Sequence, residues 1–162
     1  MTENVRPVLD AFDVLMQDHR ELEALFLDFE HAKRTGANSA PAMAAACIEL
    51  KNHDTLETEI LYTALAACSD ETVKRLAEEA EAEHDTVLEL IEKVERSHND
   101  ERQRDACFNR IMQHVKEHIR VEETQLFPRV KKLEGLDFAA LDAALIKRQQ
   151  EIFGAPPLST TA

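Results

Sequence analysis

The chain has 162 residues, enough for one domain with a buried core. Its formal net charge of −13 argues against binding to nucleic acid or to anionic membranes, because both would repel it. No apolar stretch approaches the roughly 18 residues of a membrane span, and the N-terminus lacks the basic and apolar parts of a signal peptide. Cys47, Cys68 and Cys107 form no CxxC pair and read as reduced thiols. We therefore expect a soluble cytoplasmic protein.

Composition and apolar spacing predict helices in the first half of the chain. Strand-forming residues never gather into an alternating run, and only three glycines are present. Pro7 suits the start of a first helix, which Gly36 is expected to end as a C-cap. Asn38 or Ser39 would cap a second helix that runs to about Ala67.

Helix caps in the second half of the chain predict two further long helices. The segment 69–71 supplies a cap and an acidic first turn for the third helix. The polar segment 97–100 ends that helix and caps a fourth, which is expected to run to about Lys132. Pro128 lies inside the fourth helix and should kink it or end its regular part.

A short fifth helix is predicted at about residues 137–150, after a break at Gly135. The expected fold is therefore all-α, an up-down-up-down four-helix bundle with a short C-terminal fifth helix. We predict one domain in residues 1–150 and a flexible tail in residues 151–162, where no periodicity remains.

Four of the seven histidines follow a spacing rule. His19 precedes His53 by 34 residues, and His84 precedes His118 by the same interval. The second histidine of each pair is followed at i+4 by a glutamate, so adding 65 maps one set onto the other. The chain reads as two copies of one helical hairpin. The repeated set consists of His19, His53, Glu57, His84, His118 and Glu122.

The positions of the turns predict that these side chains converge. Gly36 is the midpoint of His19 and His53, and the other turns are similarly placed, so antiparallel helices bring all four histidines to one level. That level lies about 25 Å from the bundle end at ~1.5 Å per residue. Each i, i+4 pair stays on one helix face, and apolar neighbours mark that face as the inner one.

A bound cation would remove the cost of burying these imidazoles and carboxylates unpaired. The pseudo-two-fold set predicts a dinuclear site, with two histidines for each metal and two carboxylates able to bridge. Nitrogen and oxygen ligands without a thiolate favour iron or manganese over a structural cysteine zinc site. Carboxylate and histidine sites between facing helices are an established use of four-helix bundles.

Three histidines fall outside the repeated set. His31 and His98 lie beside predicted turns and are expected at the surface. His114 lies four residues before His118 and should share its inner face, and its repeat mate is Glu49. His114 is therefore a further candidate metal residue, either as a third histidine on one metal or as a hydrogen-bonding group behind the ligands. A core histidine satisfied by Glu49 is the alternative.

Residues 10–132 resemble the hemerythrin-like family with the HHE cation-binding domain. The segments that carry the resemblance are Asp18–Phe26, His53–Tyr62, Glu83–Asp85 and His118–Pro128. The order His, HxxxE, His, HxxxE is specific, and Leu-Phe-Pro is a common family ending. Thr63 stands where a proline often follows the tyrosine of the second helix, and the position of His114 is commonly not histidine.

The resemblance implies a non-haem di-iron centre, oxo- or carboxylate-bridged, on the six residues of the repeated set. It also implies a small partner, namely dioxygen, peroxide or nitric oxide. Reversible oxygen carriage is less expected, because oxygen-carrying relatives use five histidines and this chain reaches five only with His114. The alternative is an iron, oxygen or redox sensor, or a metal-binding regulatory protein without catalysis. A structural bundle would leave the ligand set unexplained.

Overall fold

The computed structural model describes residues 9–154, and every regular element within that range is helical. Two of the five helices contain a π-helical segment, Glu57–Tyr62 in α2 and Glu122–Leu126 in α4. The helices are α1 (Ala11–Thr35), α2 (Ala40–Leu56, Glu57–Tyr62, Thr63–Ala66), α3 (Glu71–Arg96), α4 (Glu101–Val121, Glu122–Leu126, Phe127–Val130) and α5 (Phe138–Phe153). The predicted all-α bundle with a short fifth helix is confirmed.

The helix caps explain why the elements begin and end where they do. Gly36 follows α1 with a φ of 76°, a left-handed conformation that glycine adopts without strain, as its C-cap role predicted. Asp70 and Asp100 cap α3 and α4 by accepting hydrogen bonds from main-chain N–H groups three residues on, each at 3.0 Å.

Two predicted boundaries are wrong by a few residues. Helix α1 begins at Ala11, where Asp10 and Asp13 form a reciprocal capping box, and Pro7 lies outside the described residues. Helix α5 continues to Phe153, three residues beyond the predicted end at 150, because Gly154 is the first left-handed residue. The division into a domain and a tail stays a prediction.

The π-helical segments were not predicted from the sequence. Each begins at the glutamate of an HxxxE motif, Glu57 in α2 and Glu122 in α4. Pro128 was expected to kink or end α4, and the π segment stops two residues before it while the helix ends at Val130. Insertions of this kind are often found at functional sites in helices.

The apolar core forms two clusters, one at each end of the bundle. The first contains Phe12, Leu15 and Phe127, and α5 closes it by burying Leu141 and Leu145. The second cluster is built around residues such as Phe26, Phe29 and Phe108. The histidines and glutamates of the repeated set are buried in a polar layer and belong to neither cluster. Within the described residues, no helix is both long and apolar enough to cross a membrane.

Candidate metal centre

Four histidines, one from each of α1 to α4, meet in the polar layer. The Nε2 atoms of His19 and His53 are 3.2 Å apart, and those of His84 and His118 are 3.1 Å apart. The ring centres of His53 and His84 are separated by 6.2 Å, so the two pairs are neighbours. The predicted convergence of the four histidines at one level is confirmed.

Glu57 lies between the two histidine pairs and faces both. Its Oε1 atom is 3.0 Å from Nε2 of His53 and 3.9 Å from Nε2 of His19. Its Oε2 atom is 3.0 Å from Nε2 of His84 and 3.5 Å from Nε2 of His118. Each oxygen of this fully buried carboxylate therefore serves a different pair.

Glu122 approaches both pairs through a single oxygen. Its Oε1 atom is 2.7 Å from Nε2 of His118 and 3.4 Å from Nε2 of His19. Neither Oε1 of Glu122 nor Oε1 of Glu57 has a hydrogen-bond partner of good geometry in the described part of the chain. Buried carboxylate oxygens without such a partner are costly, and a cation between them and the imidazoles would satisfy both.

Carboxylates hold the outer ring nitrogens of three histidines. The Nδ1 atom of His19 is 2.9 Å from Oε1 of Glu123, and that of His84 is 2.8 Å from Oδ1 of Asp54. Nδ1 of His53 lies 3.3 Å from Oδ2 of Asp18. An Nδ1–H donated outward leaves the Nε2 lone pair directed inward, which is the usual arrangement for histidine ligands of metals.

Sequence reasoning assigned no role to these three carboxylates. The sequence contained one signal of their role. Each of them is adjacent in the chain to a member of the repeated set: Asp18, Asp54 and Glu123. Adjacent helix residues point about 100° apart, so the neighbour of an inward ligand reaches the next helix. Which histidine it meets there depends on how the helices pack.

Tyr62 is a further buried group that sequence reasoning left without a role. Its hydroxyl lies 2.7 Å from Oε2 of Glu57 and 2.9 Å from Oε2 of Glu122. The same oxygen is 3.5 Å from Nε2 of His84. The sequence contained one signal of such a role. At equivalent positions of the repeat, residue 62 is a tyrosine and residue 127 is a phenylalanine.

The electrostatics of the layer show how strongly its members interact. Burial opposes ionisation of the Glu57 carboxyl, but the imidazoles around it, His53 above all, hold its pKa well below the usual range. Burial likewise opposes a charge on His118, yet Glu122 and Glu57 raise its pKa to about 10. Without a metal, a proton on His118 offsets part of the charge of the buried carboxylates, so a cation has to displace that proton to bind.

The remaining histidines lie apart from this layer. His31 and His98 are exposed, which confirms the surface prediction. His114 is one-third exposed, and its Nδ1 atom contacts Oε2 of Glu83 at 2.8 Å. The predicted inward position of His114 is therefore wrong, and so is the alternative of a core histidine satisfied by Glu49. Four residues turn a helix by about 400° and advance it about 6 Å, which moves His114 round towards α3 and away from the layer.

A small cavity of about 20 Å³ borders the histidine layer on the side of the second core cluster. A space of this size holds about one water molecule. The four histidines line it together with Asp54, Leu22, Leu50, Val87, Leu88, Val115 and Ile119. The site is thus bordered by apolar walls with room for only a very small molecule.

The donor atoms fit a metal centre in number, chemistry and spacing. One ligand atom from each of five residues lies within 4.8 Å of all the others, close to the diameter of a shell with bonds of about 2.1 Å. The five are His19, His53, Glu57, His118 and Glu122, and His84 adjoins them through Glu57. The fold and the site together define a cation-binding four-helix bundle.

Comparison with known proteins assigns the family. The model of the hemerythrin HHE cation-binding domain matches residues 10–130, which is most of the chain. The chain belongs to this family, and the resemblance drawn from its histidine motifs is confirmed. No curated protein and no solved structure matched the chain.

Proposed function

We propose that this chain is a non-haem di-iron protein that binds or reacts with a small oxidant. The proposed ligands are His19, His53, Glu57, His84, His118 and Glu122. The observation that carries the proposal is the position of Glu57, whose two oxygens face different histidine pairs. A carboxylate in that position can bridge two cations. His114 is excluded from the proposed ligand set because its ring is turned to Glu83.

Iron is the metal we propose, because imidazole and carboxylate donors without a thiolate suit iron or manganese and the family resemblance favours iron. When bound, iron supplies the redox chemistry of the site. The residues of the chain orient and shield it. The outer carboxylates fix the direction of three imidazoles, and the two apolar clusters keep bulk water away from the layer.

The size of the cavity supports dioxygen, peroxide or nitric oxide as the oxidant. About 20 Å³ is the room of about one water molecule, so only a very small molecule fits, and the walls include Leu50, Val87 and Val115. An organic substrate would have to displace these side chains. We also propose a cytoplasmic location, because Cys47, Cys68 and Cys107 are all free thiols.

A sensor of iron or oxygen is the second candidate function. Each of the helices α1 to α4 contributes at least one proposed ligand, so metal binding would tie the whole bundle together. Coupling between metal binding and folding is common when ligands come from several elements. In this case the loaded protein would bind its ligand without turning it over.

Metal content and spectra test the proposal. The protein, expressed in iron-rich medium and purified in air, should contain about two irons per chain. Its visible spectrum should bleach on dithionite reduction and return on exposure to air. Zinc alone, with no response to iron supply, would contradict the di-iron assignment. Repeated consumption of peroxide or nitric oxide would favour catalysis over sensing.

A further inference from the structure

The hydroxyl of Tyr62 joins the two glutamates that we propose as metal ligands. It lies 2.7 Å from Oε2 of Glu57 and 2.9 Å from Oε2 of Glu122, and the side chain is 3% exposed. A phenol carries one hydrogen, so it can donate a full hydrogen bond to only one of these oxygens at a time. Which carboxylate receives it determines how each glutamate can meet a metal.

The π-helical segment brings Tyr62 into this position. Tyr62 is five residues after Glu57, which in an α-helix would place it about 140° away around the axis. A π turn pairs residues five apart and returns position i+5 towards the face of position i. The segment Glu57–Tyr62 therefore places the phenol on the side of its own glutamate.

The two acceptor oxygens differ in their other neighbours. Oε2 of Glu57 also faces His84 at 3.0 Å and His118 at 3.5 Å, where a metal would bind. The polar contact of Oε2 of Glu122 within the described residues is the phenol. Oε1 of Glu122, by contrast, faces His118 and His19. With metal bound, the phenol is best placed to donate its hydrogen bond to Oε2 of Glu122.

We infer that Tyr62 is a positioning residue that ties Oε2 of Glu122 away from the metals, so that Glu122 ligates through Oε1 alone while Glu57 uses both oxygens. This inference rests on the proposed metal site. It makes the two halves of the site unequal, although the sequence repeat relates Glu57 to Glu122.

The repeat mate of Tyr62 shows that this inequality is encoded in the chain. Adding 65 to Tyr62 gives Phe127, whose ring stacks on His19 with centroids 6.0 Å apart and planes at 4°. A phenyl ring has no hydroxyl, so Phe127 cannot donate to Glu57 the hydrogen bond that Tyr62 donates to Glu122. The chain therefore places one phenol and one phenyl ring at equivalent positions of the site.

Zinc titration of the metal-free protein tests the inference. Tyr62 is the single tyrosine and no tryptophan is present, so the near-ultraviolet tyrosine band reports on this hydroxyl alone. In the wild type we expect this band to shift as zinc is added and to stop shifting at two equivalents. The infrared difference spectrum between loaded and metal-free protein should show a carboxylate bound through one oxygen.

The variant Tyr62→Phe removes only the hydroxyl. We expect it to bind zinc ~10–100-fold more weakly, as is typical when a group that hydrogen-bonds to a ligand is lost. Its infrared difference spectrum should lose the one-oxygen carboxylate. The control Phe29→Leu alters a buried ring in the second core cluster. It should lower the melting temperature and leave zinc affinity unchanged.

The possible outcomes separate the two proposals. A wild type that binds no zinc would sink the metal site itself. Two zinc ions bound with no shift of the tyrosine band, or with wild-type affinity in Tyr62→Phe, would overturn the positioning role alone. Equal losses of affinity in Tyr62→Phe and Phe29→Leu would assign Tyr62 a general packing role and also overturn the inference.

Discussion

Replacing Glu57 by glutamine should remove both metals from the protein. The substitution keeps the shape of the side chain and removes its charge and one ligating oxygen. Glu57 lies within 4 Å of Nε2 of all four histidines of the layer, His53 and His84 at 3.0 Å each. In Glu57→Gln one metal position loses its oxygen donor, and the other keeps only a neutral amide oxygen in place of a carboxylate oxygen.

The expected loss of stability follows from metal binding to the native state. A metal at a thousandfold excess over its Kd stabilises the fold by about 4 kcal/mol. For a chain of this size, 1 kcal/mol corresponds to about 2–4 °C in melting temperature. Loss of both metals should thus lower the melting temperature by roughly 16–32 °C. His19→Ala, which damages one position, should lower it by about half as much.

Elemental analysis and thermal melts with and without chelator measure these effects. The matched control is Glu59→Gln, two residues further along the same π segment, where the exposed carboxylate pairs with Arg148. An exposed ion pair contributes about 0–1 kcal/mol, so this variant should keep both metals and nearly the wild-type melting temperature. Two metals per chain in Glu57→Gln would refute the bridging assignment.

Two further substitutions and one pH dependence test the proposed ligands and their surroundings. Asp54→Asn weakens the hold on Nδ1 of His84 and should lower affinity for one metal by ~10–100-fold in a zinc titration, whereas unchanged affinity would contradict the role of Asp54. His114→Ala should leave two metals by elemental analysis, since its ring contacts Glu83, and loss of one metal would make His114 a ligand. In the metal-free protein, His118 has a pKa raised from 6.5 to about 10, so its contribution to stability is complete below about pH 6.5 and disappears as the pH rises through 10. The free energy of unfolding in urea should therefore fall between pH 6.5 and pH 10, and an increase would contradict the assigned ion pairs.

The level at which the histidines and glutamates of the repeated set meet along the bundle could be predicted from the sequence. Two histidine pairs at a spacing of 34 residues, with turns midway, fix which residues meet when antiparallel helices pack. Apolar neighbours at helical spacing fix the face that turns inward. For that reason the convergence of the six residues of the repeated set, including His19 and Glu122, could be predicted from their spacing.

Only the tertiary structure decided how the two halves of the site differ. The repeat maps Glu57 onto Glu122, but local π turns and helix packing place both oxygens of Glu57 and only Oε1 of Glu122 against the histidines. An α-helical period places residue i+5 on another face of the helix. The contact of Tyr62 with Glu57 could therefore not be predicted from that period. The helical period predicts on which face of its own helix a side chain lies. The partner it meets, as with His114 and Glu83, depends on the rotation and spacing of the neighbouring helix.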